Sequence, residues 1–411
     1  MDALYPFSEP LYVMAKPAGA ACNLRCEYCY YLEKAKLFAR QQAPTMSDEL
    51  LEKYISEYIN SQSTPDVLFC WHGGEPLLRQ ISFYKKALKL QNQYAKGKRI
   101  SNIIQTNGTL ITDEWARFFK LNNFLIGVSI DGPKELHDRY RLSPRAEGSW
   151  ERVMRGIRLL QKYDVDWNAM AVVNDVIAEH PLDFYRFFKS IDCHYIQFTP
   201  IVERIKHHAD GRHLANPLDG EEPMLAPFSV TPKKWGDFLC TVFDEWVRND
   251  VGTFFVQIFD STLANWIGEQ PSVCTMAKNC GHAAVMEHNG DFYSCDHFVF
   301  PEYRLGNIMT DSIISMMKSE RQLKFGRAKH DSLPSQCQEC EWLFACNGEC
   351  PKNRFCKTAT GERGLNYLCE GYRQFFSHVA PAMDFMKSQL LNKRPPAAIM
   401  DILKGQRSEG S

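Results

Sequence analysis

The chain has 411 residues, and at about 100–200 residues per domain that implies two or three domains rather than one core. Hydrophobic residues make up 45% and charged residues 24%, the balance of a folded globular protein, which excludes global disorder, collagen and coiled coil. Lys+Arg 48 against Asp+Glu 49 leaves a formal charge of -1, so no overall field argues for nucleic acid or an anionic membrane as partner.

From the N-terminus to about residue 250, apolar β-rich runs alternate with helical patterns. Strands are predicted near 11–16, 66–71, 100–105, 124–130, 166–173 and 194–200, and helices near 47–60, 82–94, 112–122, 149–163, 182–190 and 232–249. Cap signals mark helix starts at Ser47-Asp48-Glu49, at Thr112-Asp113-Glu114 and at Thr231 before Pro232. Six strand–helix units imply right-handed crossovers and a parallel α/β sheet. Closed, they make a partial (β/α)6 barrel, two units short of a complete one; a doubly wound open sheet has the same periodicity. Segment 203–229, rich in His, Pro and Gly, is expected to be a long loop.

After about residue 250 the alternation stops. Segments 251–259 and 283–294 read as short strands, the second turning at Asn289-Gly290. Most of the remainder is cysteine-rich loop of the kind that metal holds together, and 371–392 reads as a last helix before a frayed end from Gly405 to Ser411. The expected division is a barrel over 1–250, a cysteine-rich domain over 251–370, and a helix and tail over 371–411.

The opening MDALYPFSEPLYVMAKP lacks a basic segment followed by an apolar one, and no stretch approaches the roughly 18 apolar residues of a membrane span. A cytoplasmic location is therefore expected. In that reducing compartment 15 cysteines read as metal ligands or redox groups before disulfides.

Cys22-Asn-Leu-Arg-Cys26-Glu-Tyr28-Cys29 follows the first strand, placing three thiols at the face where parallel barrels carry their catalytic loops. Three ligands leave one corner of a four-iron cluster open to a substrate or cofactor; a zinc knuckle completed by His72 would use the same thiols. Trp71-His72-Gly73-Gly74-Glu75-Pro76 ends the second strand, where two glycines admit a ligand against the backbone and Glu75 offers charge to an ammonium. Gln105-Thr106-Asn107-Gly108 and Ser129-Ile130-Asp131-Gly132-Pro133 end the third and fourth.

The CxxxCxΦC spacing, with Tyr28 in the aromatic position, and the glycine motif together resemble the radical S-adenosylmethionine superfamily. The resemblance implies that Cys22, Cys26 and Cys29 hold a four-iron cluster and that Gly73, Gly74 and Glu75 receive the amino group of S-adenosylmethionine. It also implies that Tyr28, Asn107, Ser129 and Asp131 line the cofactor site and that Arg141 pairs with the cofactor carboxylate.

Cys274, Cys280 and Cys295, then Cys337, Cys340, Cys346 and Cys350, closed by Cys369, supply eight more thiols. These resemble the SPASM domain, most closely that of the anaerobic sulfatase-maturating enzymes. The resemblance implies one four-iron cluster on Cys274, Cys280, Cys295 and Cys350 and a second on Cys337, Cys340, Cys346 and Cys369, whereas spacing alone would group Cys350 with Cys346. Two zinc sites are the alternative use of such thiols. Cys70, Cys193, Cys240 and Cys356 are left over and read as small hydrophobes, although Cys356 could compete for a ligand position.

The activity so implied is oxidation of an active-site Ser or Cys of a sulfatase to Cα-formylglycine. A 5′-deoxyadenosyl radical abstracts a Cβ hydrogen and an auxiliary cluster accepts an electron. Asp296, directly after Cys295, is implied as the base, and Tyr31 and His72, close to the cofactor motifs, as contacts to the peptide. The implied partners are an unfolded or nascent sulfatase polypeptide and an electron donor such as ferredoxin or flavodoxin, with no nucleic acid and no membrane. A related enzyme that crosslinks or otherwise modifies a ribosomal peptide would carry the same clusters. An electron carrier or a zinc-organised binding module is the reading from another class.

Overall fold

The computed structural model describes residues 11–38, 45–208, 211–215 and 224–408; the first ten residues of the expected barrel and the last three of the expected tail lie outside them. All six strand–helix units form. In chain order they are β1 (Tyr12–Ala15), α1 (Tyr31–Phe38), α2 (Asp48–Ser61), β2 (Asp66–Trp71), α3 (Gln80–Tyr94), β3 (Arg99–Thr106), α4 (Asp113–Leu121), β4 (Phe124–Ser129), the single turn α5 (Lys134–His137), α6 (Trp150–Lys162), β5 (Trp167–Val173), α7 (Pro181–Ser190) and β6 (Tyr195–Pro200). The caps act as their chemistry dictates: Ser47 Oγ accepts from Leu50 N at 3.1 Å and Thr112 Oγ1 from Trp115 N at 3.3 Å.

Segment 203–229 is not a plain loop. It contains a small antiparallel sheet in which β7 (Arg204–His208) pairs with both β8 (Gly211–Leu214) and β9 (Met224–Leu225). Then follows α8 (Pro232–Asn249), begun by Thr231 and Pro232 as expected. Segment 251–259 is also corrected: only β10 (Phe255–Val256) is extended, and α9 (Gln257–Ile267) takes over, burying Ile258, Thr262 and Trp266 at helical spacing. A short apolar run fits either period, and here the four-residue recurrence decides. The 283–294 hairpin forms as β11 (Ala283–Met286) and β12 (Asp291–Tyr293), with Gly290 at φ +87 in its turn.

The remaining elements are β13 (Arg304–Asn307), α10 (Ile313–Met317), α11 (Glu320–Asp331), α12 (Ser335–Gln338), α13 (Leu343–Cys346), β14 (Cys356–Lys357), β15 (Arg363–Leu365), α14 (Cys369–Leu391) and α15 (Ile399–Ser408). Helix α15 occupies part of the end expected to fray.

By packing, the chain separates into two compact units: residues 1–129, 137–167 and 280–327 in one, and 130–136, 168–279 and 328–411 in the other. In the first unit β1, β2, β3 and β4 pair in parallel in that order. The other edge of β1 pairs in parallel with β11, Tyr12 opposite Ala283, and β12 and β13 continue antiparallel. Strand β2 shows why it sits in a core: Val67, Phe69 and Trp71 alternate inward, and Trp71 packs edge-on to Tyr54 and Tyr84 from α2 and α3. In the second unit β5, β6 and β10 pair in parallel, and Phe198, Trp235, Phe238, Phe259 and Phe375 make an aromatic core with α8, α9 and α14. Among the described residues no helix is long and apolar enough to cross a membrane.

Candidate active site

In the first unit the cysteine loop is held by backbone hydrogen bonds before any ligand is considered. Arg25 N donates to Leu142 O at 2.7 Å and Glu27 N to Tyr140 O at 3.0 Å. Tyr28 is buried edge-on to Tyr140, and the Arg141 guanidinium lies 5.7 Å from the Tyr28 ring centroid. Burial pushes the Cys22 thiol up to about 11 and also raises Cys29. Thiols so placed ionise only beside compensating cations, and a donor set of three cysteines, Cys22, Cys26 and Cys29, suits iron–sulfur ligation.

The glycine motif pairs with the turn just before Cys22: Gly74 N donates to Gly19 O and Glu75 N to Ala21 O, both at 2.8 Å. A Cβ on Gly74 would lie 2.1 Å from Ala21 O, so no side chain is tolerated there. Glu75 is fully buried. One of its carboxylate oxygens accepts from Leu77 N at 2.9 Å and Thr106 Oγ1 at 2.8 Å, the other from Asn107 N at 2.8 Å. Burial nevertheless raises it to about 7. It thus ties the end of β2 to the end of β3. Asn107 extends the tie to the cysteine loop, its Nδ2 donating to Asn23 Oδ1 at 2.8 Å. Ser129 Oγ accepts from Gln105 Nε2 at 3.0 Å. In the second unit, Asp131 is buried and accepts from Val172 N at 3.0 Å.

Asp296 lies in a buried polar group within the first unit. Lys16 Nζ donates to its Oδ1, Tyr30 hydroxyl donates to its Oδ2, and Lys34 Nζ donates to its backbone carbonyl at 2.8 Å. Burial is the largest influence on its carboxyl and would raise it; Lys16, then His72, Lys34 and His297, outweigh burial and hold it well below the usual carboxylate range. The side chain keeps 15% of its surface exposed, enough to be reached. His72 Nδ1 accepts from Gly73 N at 2.7 Å, and burial first, then Lys16, bring it down to about 4, a neutral imidazole. Tyr31 hydroxyl donates to the buried Glu287. Lys16, Tyr30, Lys34 and Glu287 were missing from the sequence reading. A signal existed for Lys16, a charged residue directly after an apolar barrel strand.

Of the later cysteines, Cys280 and Cys295 belong to the first unit and Cys274 and Cys350 to the second. Cys337, Cys340, Cys346 and Cys369 all line one cavity of about 720 Å³ in the second unit, and Cys350 is not among its lining residues. Burial raises Cys346 to about 12 and Cys369 to about 11. In the same unit the ammonium of Lys329, itself wholly buried, donates to the carbonyls of Cys274 at 2.8 Å, Thr275 at 2.7 Å and Ala277. Of the left-over thiols, Cys193 is buried and donates to Tyr195 O at 3.2 Å. Cys70, on β2, is raised to about 11 by burial, with Asp296 the next influence.

The Radical SAM superfamily model matches residues 17–188, and an iron–sulfur cluster-binding domain model matches residues 274–341. A serine-type anaerobic sulfatase-maturating enzyme of Bacteroides thetaiotaomicron is 68% identical over 399 residues, covering 97% of this chain and 96% of that one. The chain belongs to the anaerobic sulfatase-maturating enzymes. A cysteine-type member of Clostridium novyi is 33% identical over 90% of this chain and 95% of its own. The solved structure of native anSMEcpe with bound AdoMet matches with a TM-score of 0.82 at 30% identity, over 92% of this chain and all of that one, and the same protein is known with AdoMet and a Cp18Cys peptide. The fold is therefore the partial (β/α)6 barrel of radical S-adenosylmethionine enzymes with a C-terminal SPASM domain. This sulfatase-maturating enzyme is an oxidoreductase that generates Cα-formylglycine, with S-adenosylmethionine and iron–sulfur clusters as cofactors.

Proposed function

We propose that the enzyme oxidises a serine of an unfolded or nascent sulfatase polypeptide and that Asp296 is the base. When bound, S-adenosylmethionine and the clusters supply the 5′-deoxyadenosyl radical that takes a hydrogen atom from Cβ and the acceptor for the one further electron that leaves. What remains for the protein is the hydroxyl proton, and its loss gives the aldehyde. The observation that carries the proposal is Asp296 itself, anionic, partly exposed and oriented at both oxygens. The preference for serine rests on the 68% identity to a serine-type enzyme against 33% to a cysteine-type one.

Cys22, Cys26 and Cys29 are assigned to the radical cluster, with Gly73, Gly74, Glu75, Asn107, Ser129, Asp131 and Arg141 around the cofactor and Tyr28 packed beside it. Glu75 acts there through the turn it braces, since both carboxylate oxygens are already engaged. The set Cys337, Cys340, Cys346 and Cys369 is supported by their shared cavity; the assignment of Cys350 to Cys274, Cys280 and Cys295 is what the family resemblance implies. His72, as a neutral imidazole, and Tyr31 are assigned to the peptide side of the site. The functional division follows the cysteine sets, at about residues 250 and 370. Reduction by ferredoxin or flavodoxin in the cytoplasm completes the reading.

The test is Asp296→Asn under anaerobic conditions with a serine peptide. The variant should load its clusters and still release 5′-deoxyadenosine, while aldehyde formation falls by about 10²–10⁴-fold. Aldehyde at the wild-type rate would remove Asp296 from the role of base.

A further inference from the structure

None of the Lys16 side chain is exposed. Burying an ammonium is costly unless a charge and hydrogen bonds receive it, and here the receiving group is Asp296 Oδ1. The Lys16 ammonium also stands 3.3 Å from the Tyr31 ring centroid, on its face. Its backbone is built into the cofactor turn: Lys16 N donates to Met286 O at 2.9 Å, Gly19 N donates to Lys16 O at 3.0 Å, and a Cβ on Gly73 would lie 3.6 Å from Lys16 Cα. One residue therefore touches both the glycine turn and the carboxylate.

We propose that Lys16 is a positioning residue that fixes the Asp296 carboxylate in register with the cofactor turn. The inference rests on Asp296 being the base. A carboxylate gripped at one oxygen by Lys16 and at the other by Tyr30 cannot rotate about its own axis, so its free lone pairs face one direction. Lys34 is placed differently, donating to the Asp296 backbone carbonyl at 2.8 Å. Without Lys16, the peptide would still bind and lose its hydrogen atom, but the acceptor of its proton would be out of place.

The experiment uses the reconstituted holoenzyme with a serine peptide and compares Lys16→Met, Lys16→Arg, Asp296→Asn and the double variant Lys16→Met with Asp296→Asn. Lys16→Met should match wild type in iron content, in peptide affinity by fluorescence anisotropy and in 5′-deoxyadenosine release. Its kcat for aldehyde should fall by about tenfold or more with KM nearly unchanged. Lys16→Arg, which keeps the charge, should recover part of that loss, and the double variant should be no slower than Asp296→Asn alone. If Lys16→Met does not load iron, Lys16→Gln is held to the same outcomes. Wild-type aldehyde kcat in either neutral variant overturns the proposal, as does equal loss of 5′-deoxyadenosine and aldehyde, or a double variant slower by the product of the single effects. Full activity in Asp296→Asn would instead defeat the base assignment; a defective Asp296→Asn beside a normal Lys16→Met would defeat only the positioning role.

Discussion

Glu75 and Asp296 are both carboxylates largely removed from water, and their proton affinities diverge because their neighbours differ. Glu75 meets only neutral donors and is raised to about 7 by burial, whereas Asp296 is surrounded by Lys16, Lys34 and two imidazoles and is held low. A carboxyl depressed below its usual value of about 4 stays ionised at every pH above that, and His72, lowered to about 4, stays neutral over the same range. Neither group changes charge between pH 5 and 8. The ratio of aldehyde to 5′-deoxyadenosine should therefore be level from pH 8 down to about 5, and an acid limb near pH 6–7 that vanishes in Asp296→Asn would contradict the low proton affinity. The cysteine and glycine motifs were legible in the sequence because short covalent spacing sets them together. The grip on Asp296 was not, since Lys16 is 280 residues away from it and Tyr31 is 256 from Glu287; only folding makes them neighbours.

Among the elements, those with a strong period were readable to within a residue or two, as β2 and α8 show, while 251–259 was misread because its apolar run is too short to choose between periods. Helix α11 illustrates what patterning does not reveal. Its Lys329 ammonium, directed inward to three carbonyls of the 274–277 segment, braces the loop that carries Cys274. Lys329→Met would leave the carbonyls of Thr275 and Ala277 without this donor, at about 1–3 kcal/mol for each one not rescued by relaxation, while Cys274 O keeps the Ala277 N–H at 3.3 Å. Urea unfolding of the metal-free protein should register a loss of a few kcal/mol, and hydrogen exchange should quicken at 274–277. A change below about 0.5 kcal/mol would mean that the loop is held by other bonds.

For the molecule as a whole, three cysteine sets predict about twelve irons per chain after anaerobic reconstitution. Cys337→Ala should lose about four of them and keep cofactor cleavage, because its set lines a cavity in the second unit, whereas the candidate radical cluster lies in the first. Iron analysis and 5′-deoxyadenosine release check this together, and loss of cleavage alone in the Cys337 variant would reverse the roles given to the two regions. Composition alone could suggest a break near residue 250, but not that residues 280–327 pack with the N-terminal strands, since strand pairing over such separations leaves no local mark.

That pairing sets a timetable for synthesis. The partner of Tyr12 on β1 is Ala283, 271 residues later, so at about 5–20 residues per second a ribosome needs about 15–55 s to deliver it. Until then β1 has one edge bare, the kind of edge that recruits foreign strands, and Lys16 waits still longer for Asp296. A chain released before residue 283 would carry every motif of the radical site and keep that edge open, which makes early termination a route to aggregation rather than to a smaller working enzyme.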